Sequence, residues 1–88
     1  MLGTIKKLDD AYVYKTVNSI NGKFYIGKCE RSPESSESYY GSGKVLQLAM
    51  SKYGKDKFTK TILVRGIRNS MELELAEMSE INALTLLV

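Results

Sequence analysis

Two tyrosines stand at a spacing that could bring their phenols together. Tyr14 ends the run Tyr12-Val13-Tyr14, and Tyr25 opens the run Tyr25-Ile26-Gly27 eleven positions further on. A phenol has a reference pKa of about 10, so it can act as a base only where nearby cations stabilise the phenolate. Tyrosines also pack well in half-buried strands. The pair by itself therefore suits either proton transfer or simple packing.

The segment between the two runs predicts a β-hairpin. Asn21-Gly22 suits a two-residue type I′ turn, because both central positions need a positive φ that glycine adopts freely and asparagine tolerates. This turn would set the register by pairing Ile20 with Lys23, Val17 with Ile26, Thr16 with Gly27 and Asn18 with Tyr25. One face would be apolar, with Val13, Val17, Phe24 and Ile26. The other would bring the phenols beside a glycine, with Tyr12, Tyr14, Thr16, Tyr25 and Gly27.

The remaining segments predict an α+β fold, a small three-stranded antiparallel β-sheet flanked by two helices. A helix is expected over residues 44–53, where Gly54 would end it, and the β-branched run 58–65 predicts a third strand beside the hairpin. Asn69 or Ser70 could cap a second helix that runs to about Leu84, with Glu72 in capping-box spacing. Its apolar stripe would be Met71, Leu75, Met78 and Ile81, and its other side would carry Glu72, Glu74, Glu77 and Glu80.

Eighty-eight residues are expected to form one domain over residues 11–88, preceded by a loosely docked lead-in over residues 1–10. Residues 28–40 contain the only proline, Pro33, and predict a loop that could fold over the tyrosine face. The apolar residues 83–88 could form an association surface for a homodimer or a partner protein.

Composition narrows the possible functions. One cysteine, Cys29, excludes an internal disulfide, and the absence of histidine removes the usual zinc sites. No apolar run approaches the ~18 residues of a membrane span, so we expect a soluble protein of a reducing cytoplasm. A net charge of +3 and a pI near 9.0 permit binding to phosphate backbones without requiring it.

The run Gly41-Ser42-Gly43-Lys44 is similar to the end of a nucleotide-binding P-loop. The upstream glycine and the following Ser or Thr of that motif are missing, so we reject nucleotide binding. The run instead predicts a turn into the first helix. Backbone N–H groups at that helix start, together with Lys44, could hold a phosphate, although simple capping explains the pattern equally well.

Taken in order, these motifs resemble the GIY-YIG nuclease superfamily, in its phage-type, homing-endonuclease-like branch. The resemblance covers roughly residues 12 to 82. Tyr14 takes the last place of the first tripeptide, and Tyr25 opens a complete second one. The rest of the series is Tyr40-Gly41-Ser42-Gly43-Lys44, Lys52-Tyr53-Gly54 with Phe58, and Glu77.

The resemblance implies hydrolysis of DNA phosphodiester bonds with one Mg²⁺ or Mn²⁺ ion on Glu77. Tyr14 or Tyr25 would take a proton from the attacking water, and Gly27 would leave space for the DNA strand. Lys28, Lys44 and, more weakly, Arg31 would supply positive charge. Since no separate DNA-reading region is recognised, low sequence specificity is expected, in a bacterial or phage-infected cell.

The sequence departs from the family pattern in two places. Ser35 stands where the family arginine usually falls, and a downstream asparagine is not matched. These departures favour an alternative, a catalytically impaired module that binds DNA or regulates another nuclease. An ordinary α+β interaction domain with tyrosines in its core is a third interpretation.

Overall fold

A three-stranded antiparallel sheet carries the structure. The computed structural model describes residues 4–86, with side chains as far as residue 84. The strands lie in the order β2-β1-β3, and two α-helices follow the hairpin and the third strand, as the sequence predicted. The elements are β1 (Lys7–Asn18), β2 (Phe24–Cys29), a 3-10 turn (Glu34–Ser36), α1 (Lys44–Tyr53), a second 3-10 turn (Lys55–Lys57), β3 (Phe58–Asn69) and α2 (Ser70–Leu86).

Strand β1 lies at the centre because it pairs with both β2 and β3. Most of its side chains from Ala11 to Asn18 are buried, as expected for a strand covered on both faces. It begins earlier than predicted. Residues 7–10 were expected to be a loose lead-in, but they form the start of β1, and Leu8 is buried in the core. Residues 1–3 of that lead-in lie outside the described residues.

The hairpin turn differs from the prediction. Within the turn, Gly22 has a positive φ, of 76°, whereas no described non-glycine residue has one. Asn21 therefore lacks the positive φ that a type I′ turn requires. The loop is wider. The Asn18 N–H donates to the Lys23 carbonyl, and the Gly22 N–H donates to the Asn18 carbonyl. The Asn18 side chain also accepts from the Ile20 N–H, which stabilises this wider turn locally.

The wider turn moves the register of β1 on β2 by two residues. Tyr14 pairs with Gly27, Thr16 with Tyr25, and Val17 with Phe24, so all four predicted pairs were wrong. The face assignment is nevertheless right, because side chains alternate with a period of two and a shift of two preserves their faces. Tyr14 and Tyr25 lie on the same face, as expected.

Helix α2 covers the opposite face of the sheet from the tyrosines. Its buried residue is Leu73, which packs with Leu8, Ala11 and Val13 of β1 and Ile67 of β3. The predicted apolar stripe was wrong. It points away from the sheet, and its four members are exposed, namely Met71, Leu75, Met78 and Ile81. The prediction followed the most hydrophobic side of the helix. The side that packs on the sheet instead presents Leu73 and the small residue Ala76.

The helix boundaries follow the predicted signals. The Asn69 side chain accepts from the Glu72 N–H at 2.8 Å and so caps α2. Gly54, with φ of 92°, ends α1, and its N–H donates to the Met50 carbonyl. Leu46 is the buried residue of α1, so this helix contributes one side chain to the interior.

Strand β3 runs four residues beyond its predicted end at Arg65. The strand continues through Gly66, whose φ is 74°. The Gly66 N–H donates to the Asp10 carboxylate of β1 and so holds this part of β3 against β1. The Arg65 guanidinium bonds to the same carboxylate and, with two nitrogens, to Glu34. These contacts attach the 3-10 turn at residues 34–36 to the sheet.

Within residues 4–86, no helix is long and apolar enough to cross a membrane. The apolar patch predicted at the chain end, residues 83–88, lies largely outside the described side chains.

Substitution of Leu73 tests which side of α2 holds the fold together. Leu73 is 2% exposed, so Leu73→Ala should lower the free energy of unfolding by about 2–5 kcal/mol. Leu75→Ala is the matched control, because Leu75 is 57% exposed, and it should stay within about 0.5 kcal/mol of the parent. Urea denaturation measures both, and equal losses would contradict the observed packing.

Acid should release the turn at residues 34–36. Arg65 holds the pKa of both Asp10 and Glu34 below its ordinary value. A lowered pKa in the folded state stabilises the fold above the ordinary value of about 4, and this stabilisation is lost as the pH falls through the lowered pKa. Thermal unfolding between about pH 5 and 2 should therefore depend less on pH in an Asp10→Asn, Glu34→Gln variant. An unchanged pH dependence would show that the ion pairs contribute nothing.

Candidate active site

The free edge of the sheet forms one wall of a cleft with a volume of about 460 Å³. Four consecutive residues of β2 line it, because this strand has no neighbour on its outer side. Segments far apart in the sequence supply the other walls. The lining residues are Tyr14, Tyr25, Ile26, Gly27, Lys28, Tyr39, Gly41, Ser42, Gly43, Lys44, Val45, Leu46 and Glu77.

Tyr14 reaches the cleft across a glycine. It pairs with Gly27 on β2, and a Cβ atom at Gly27 would overlap the Tyr14 ring. Gly27 was expected to face Thr16 and to leave open space for a DNA strand. The structure corrects this expectation, because the space over Gly27 is filled by the Tyr14 phenol. Because Gly27 has no side chain, the Tyr14 phenol can lie close to the backbone of β2.

The loop after β2 folds over the tyrosine face, as predicted. The Tyr39 ring meets Tyr14 edge-on, with ring centroids 6.0 Å apart, and the Thr16 hydroxyl donates to the Tyr40 carbonyl. Tyr12 lies on the other side of Tyr14, at 5.7 Å. Tyr14 is only 3% exposed. Burial, and then the neighbouring Tyr39 phenol, raise the pKa of Tyr14 well above its ordinary value, so this tyrosine is neutral at physiological pH.

Lys60 contacts the tyrosines beside the cleft and was not among the residues predicted from the sequence. It pairs with Thr16 across β1 and β3 and therefore shares the tyrosine face. Its Nζ donates to the Tyr12 hydroxyl at 2.6 Å and to the Ser36 carbonyl at 3.0 Å. A register for β3 would have placed Lys60 on this face, but the sequence offers no turn signal from which to derive that register.

Glu77 lies at the end of the cleft, on the side where α2 approaches β2. Its side chain is 21% exposed, and the Lys28 ammonium lies 3.9 Å from it and 3.0 Å from Glu74. Lys28 thus neutralises part of the charge of the two glutamates. The row of like charges predicted on α2 is offset by a cation from the sheet.

Glu77 is the one carboxylate among the described residues that line the cleft. Among the described residues, no three His, Cys, Asp or Glu side chains gather around one point, so a closed protein cage is absent there. A single carboxylate, completed by water and phosphate oxygens, is an ordinary magnesium site. Glu77 could hold such an ion in place of its weak contact with Lys28.

The start of α1 also lines the cleft, together with Glu77 and Lys28. Gly43 is the N-cap residue, and no side chain caps the helix there. Free backbone N–H groups at a helix start attract anions, and Lys44 adds a positive charge at the same place. The arrangement can therefore accept a phosphate group.

Arg31 does not join the cleft. Its guanidinium lies 5.8 Å from the centroid of the Tyr39 ring, and the residue is absent from the cleft lining. The Tyr39 ring contacts both the Arg31 guanidinium and the Tyr14 ring. Of the predicted site residues, Tyr14, Tyr25, Gly27, Lys28, Lys44 and Glu77 meet at one place.

Comparison with known proteins gives relatives from one phage. Over 52 residues, 59% of this chain, identity is 50% to "Putative endonuclease segE" of Enterobacteria phage T4 and 46% to "Putative endonuclease segB" of the same phage. "Endonuclease segA" of that phage is 38% identical over 52 residues. The matched region covers 25%, 23% and 23% of these relatives, so this chain corresponds to about a quarter of their length. The chain is thus homologous in part to phage proteins named as endonucleases.

No protein-family model matches the chain. No solved structure matches it either.

A methyl group at Gly27 should displace Tyr14. Since the added Cβ would overlap the phenol ring, Gly27→Ala should cost about 1–3 kcal/mol of stability. It should also alter the near-ultraviolet circular dichroism, which tyrosines dominate because the chain has no tryptophan. Gly43→Ala is the control, since a Cβ there meets nothing within 4 Å and φ is −60°. If both variants match the parent spectrum, Gly27 does not position Tyr14.

Proposed function

We propose that the chain is the nuclease module of a GIY-YIG endonuclease, which hydrolyses DNA phosphodiester bonds in a metal-dependent reaction of low sequence specificity. One observation carries the proposal. Six residues that the resemblance assigns to the site come from four separate elements and line one cleft, namely Tyr14, Tyr25, Gly27, Lys28, Lys44 and Glu77. The phage relatives with endonuclease names support the same reaction class.

Glu77 would hold a Mg²⁺ or Mn²⁺ ion, which supplies positive charge for the phosphoryl oxygens and the leaving oxygen. Lys44 and the start of α1 would bind the phosphate that is cut or its neighbour. Lys28 lies beside Glu77 and would turn from the glutamates to the phosphate when a cation takes its place. The metal ion, Lys28 and Lys44 at the start of α1 would together place positive charge beside the DNA phosphate.

Tyr14 or Tyr25 would take the proton of the attacking water. In the reaction, the water oxygen bonds to phosphorus, the P–O bond to the leaving oxygen breaks, and that oxygen ends with a proton. The buried Tyr14 can lose its own proton only after cations enter the cleft, because its pKa is raised in the free protein. Tyr25 is the more accessible of the two phenols, since it is only partly buried.

Affinity for DNA would come mainly from phosphate contacts. A small domain with a net charge of +3 gains binding energy as counterions leave the DNA, and such binding weakens with salt and ignores sequence. The substrate would be reached in a bacterial cell infected by a phage.

The alternative is a module that binds DNA or regulates a nuclease without cutting. Two observations favour it. Arg31 lies outside the cleft and no arginine is among its described lining residues, and Tyr14 is closed in by Tyr39.

Replacing Glu77 separates the two functions. Glu77→Gln should lower nicking of supercoiled plasmid in Mg²⁺ by orders of magnitude, because the amide cannot hold the ion as a carboxylate does. DNA binding in EDTA should persist. Stability should change by only a few tenths of a kcal/mol, because the contact with Lys28 is long and partly exposed.

Glu72→Gln is the matched control for this experiment. Glu72 lies about 140° around the helix from Glu77 and does not line the cleft, so its variant should cut like the parent. If Glu77→Gln cuts as well as the parent, Glu77 is not the metal ligand. If the parent protein never cuts DNA with any divalent metal, the nuclease proposal fails and the binding module takes its place.

A further inference from the structure

Lys60 lies in a ring of three tyrosines. Its Nζ is 4.7 Å from the centroid of the Tyr12 ring, 5.2 Å from that of Tyr14 and 5.9 Å from that of Tyr39. An ammonium over an aromatic face is attracted by the ring, and here one ammonium serves three rings. Burial lowers the pKa of this lysine, because an ammonium is less stable away from water.

A chain of hydrogen bonds leads from Lys60 into the loop. The Ser36 hydroxyl donates to the Ser32 carbonyl at 2.6 Å, so the Tyr12 hydroxyl must donate to Ser36 Oγ, at 2.7 Å. Tyr12 can then accept the Lys60 N–H, and a second N–H of Lys60 bonds to the Ser36 carbonyl. Lys60 thereby ties the turn before Tyr39 to the central strand.

Both tyrosine rings that pack against Tyr14 also contact this lysine. Tyr12 packs on one side and Tyr39 on another, and both contact Lys60. Gly27 and Gly41 also lie close to the Tyr14 phenol. The Tyr14 phenol is thus closely surrounded where it borders the cleft.

Stability alone does not explain a charge at this place. Lys60 is partly buried. Taking an ammonium even partly out of water is costly, and apolar side chains of similar volume can often replace buried ion pairs with no loss of stability. Methionine has the length of the lysine stem and would fill the same space. The charge therefore needs a reason other than packing.

We propose that Lys60 is a positioning residue for the nuclease reaction, which holds the Tyr14 phenol at the cleft by fixing Tyr12 and Tyr39 around it. This inference rests on the proposed function for its effect on cleavage. Its effect on the tyrosine cluster does not depend on that function and can be measured without DNA or metal.

The test compares Lys60→Met with Lys60→Arg and with a matched control, Lys55→Met. Lys55 also bonds to the loop, with its Nζ 2.6 Å from the Ser38 carbonyl, but its ring contact is with Tyr40. The Lys55 variant therefore loses a similar lysine contact to the same loop without touching the tyrosines around Tyr14. Far-ultraviolet circular dichroism checks that each variant is folded.

Lys60→Met should lower kcat for plasmid nicking by about tenfold to hundredfold, because a small misplacement of a reacting group has effects of this size. KM and DNA binding in EDTA should change by less than about twofold, since Lys60 is absent from the cleft lining. The near-ultraviolet tyrosine signal should weaken. Lys60→Arg should recover part of the kcat and the signal, and Lys55→Met should keep both at the parent level.

A parent-like kcat in Lys60→Met would overturn the role in cleavage, and a parent-like tyrosine spectrum would overturn the positioning itself. If the parent protein does not cut, the nuclease proposal fails separately and the spectra still decide whether Lys60 orders the cluster. If Lys60→Met does not fold, Lys60→Gln takes its place, because the amide keeps an N–H donor and lacks the charge.

Discussion

The contact between the Tyr14 phenol and the backbone of Gly27 is the constraint on which the cleft depends. A side chain at position 27 would push the ring outward, and the loop that carries Tyr39 could not close over it. Because the ring can lie flat over β2, it is buried and still borders the cleft. The same burial raises the pKa of the phenol above its ordinary value. Steric and electrostatic control of this tyrosine thus have one origin.

The two faces of the sheet have separate tasks. One face packs against Leu73 of α2 and forms the apolar core, and the other carries the tyrosines beneath the loop. Strand β1 lies between them and is covered on both sides, so it cannot shift without disturbing both. Strand β2 has a free edge, where Glu77 from one face meets Tyr25 from the other. A cleft at this edge combines groups that neither face could bring together alone.

The two lysines nearest the tyrosines and glutamates of the site, Lys28 and Lys60, have partners of different kinds. Lys28 contacts Glu74 and Glu77, whereas Lys60 contacts phenols and a carbonyl. The contacts of Lys28 are partly exposed, so they are weak and can be exchanged for a phosphate at little cost. Those of Lys60 are partly buried and directional, which suits a side chain that holds others in place. One lysine is therefore suited to binding and the other to positioning.

The sequence by itself determined the elements, the α+β class, the caps at Asn69 and Gly54, and the face on which each hairpin residue lies, because these depend on local φ preferences and on the period of two along a strand. Only the tertiary structure decided the register. Ser19 bonds through its N–H and its hydroxyl to the distant Lys57 carbonyl, and the turn is wider than Asn21-Gly22 predicts. It also decided which side of α2 is buried, since hydrophobicity favoured Leu75 where the sheet has room for Leu73 and Ala76. Lys60 came to the site only through the pairing of β3 with β1, a long-range contact that no local pattern encodes.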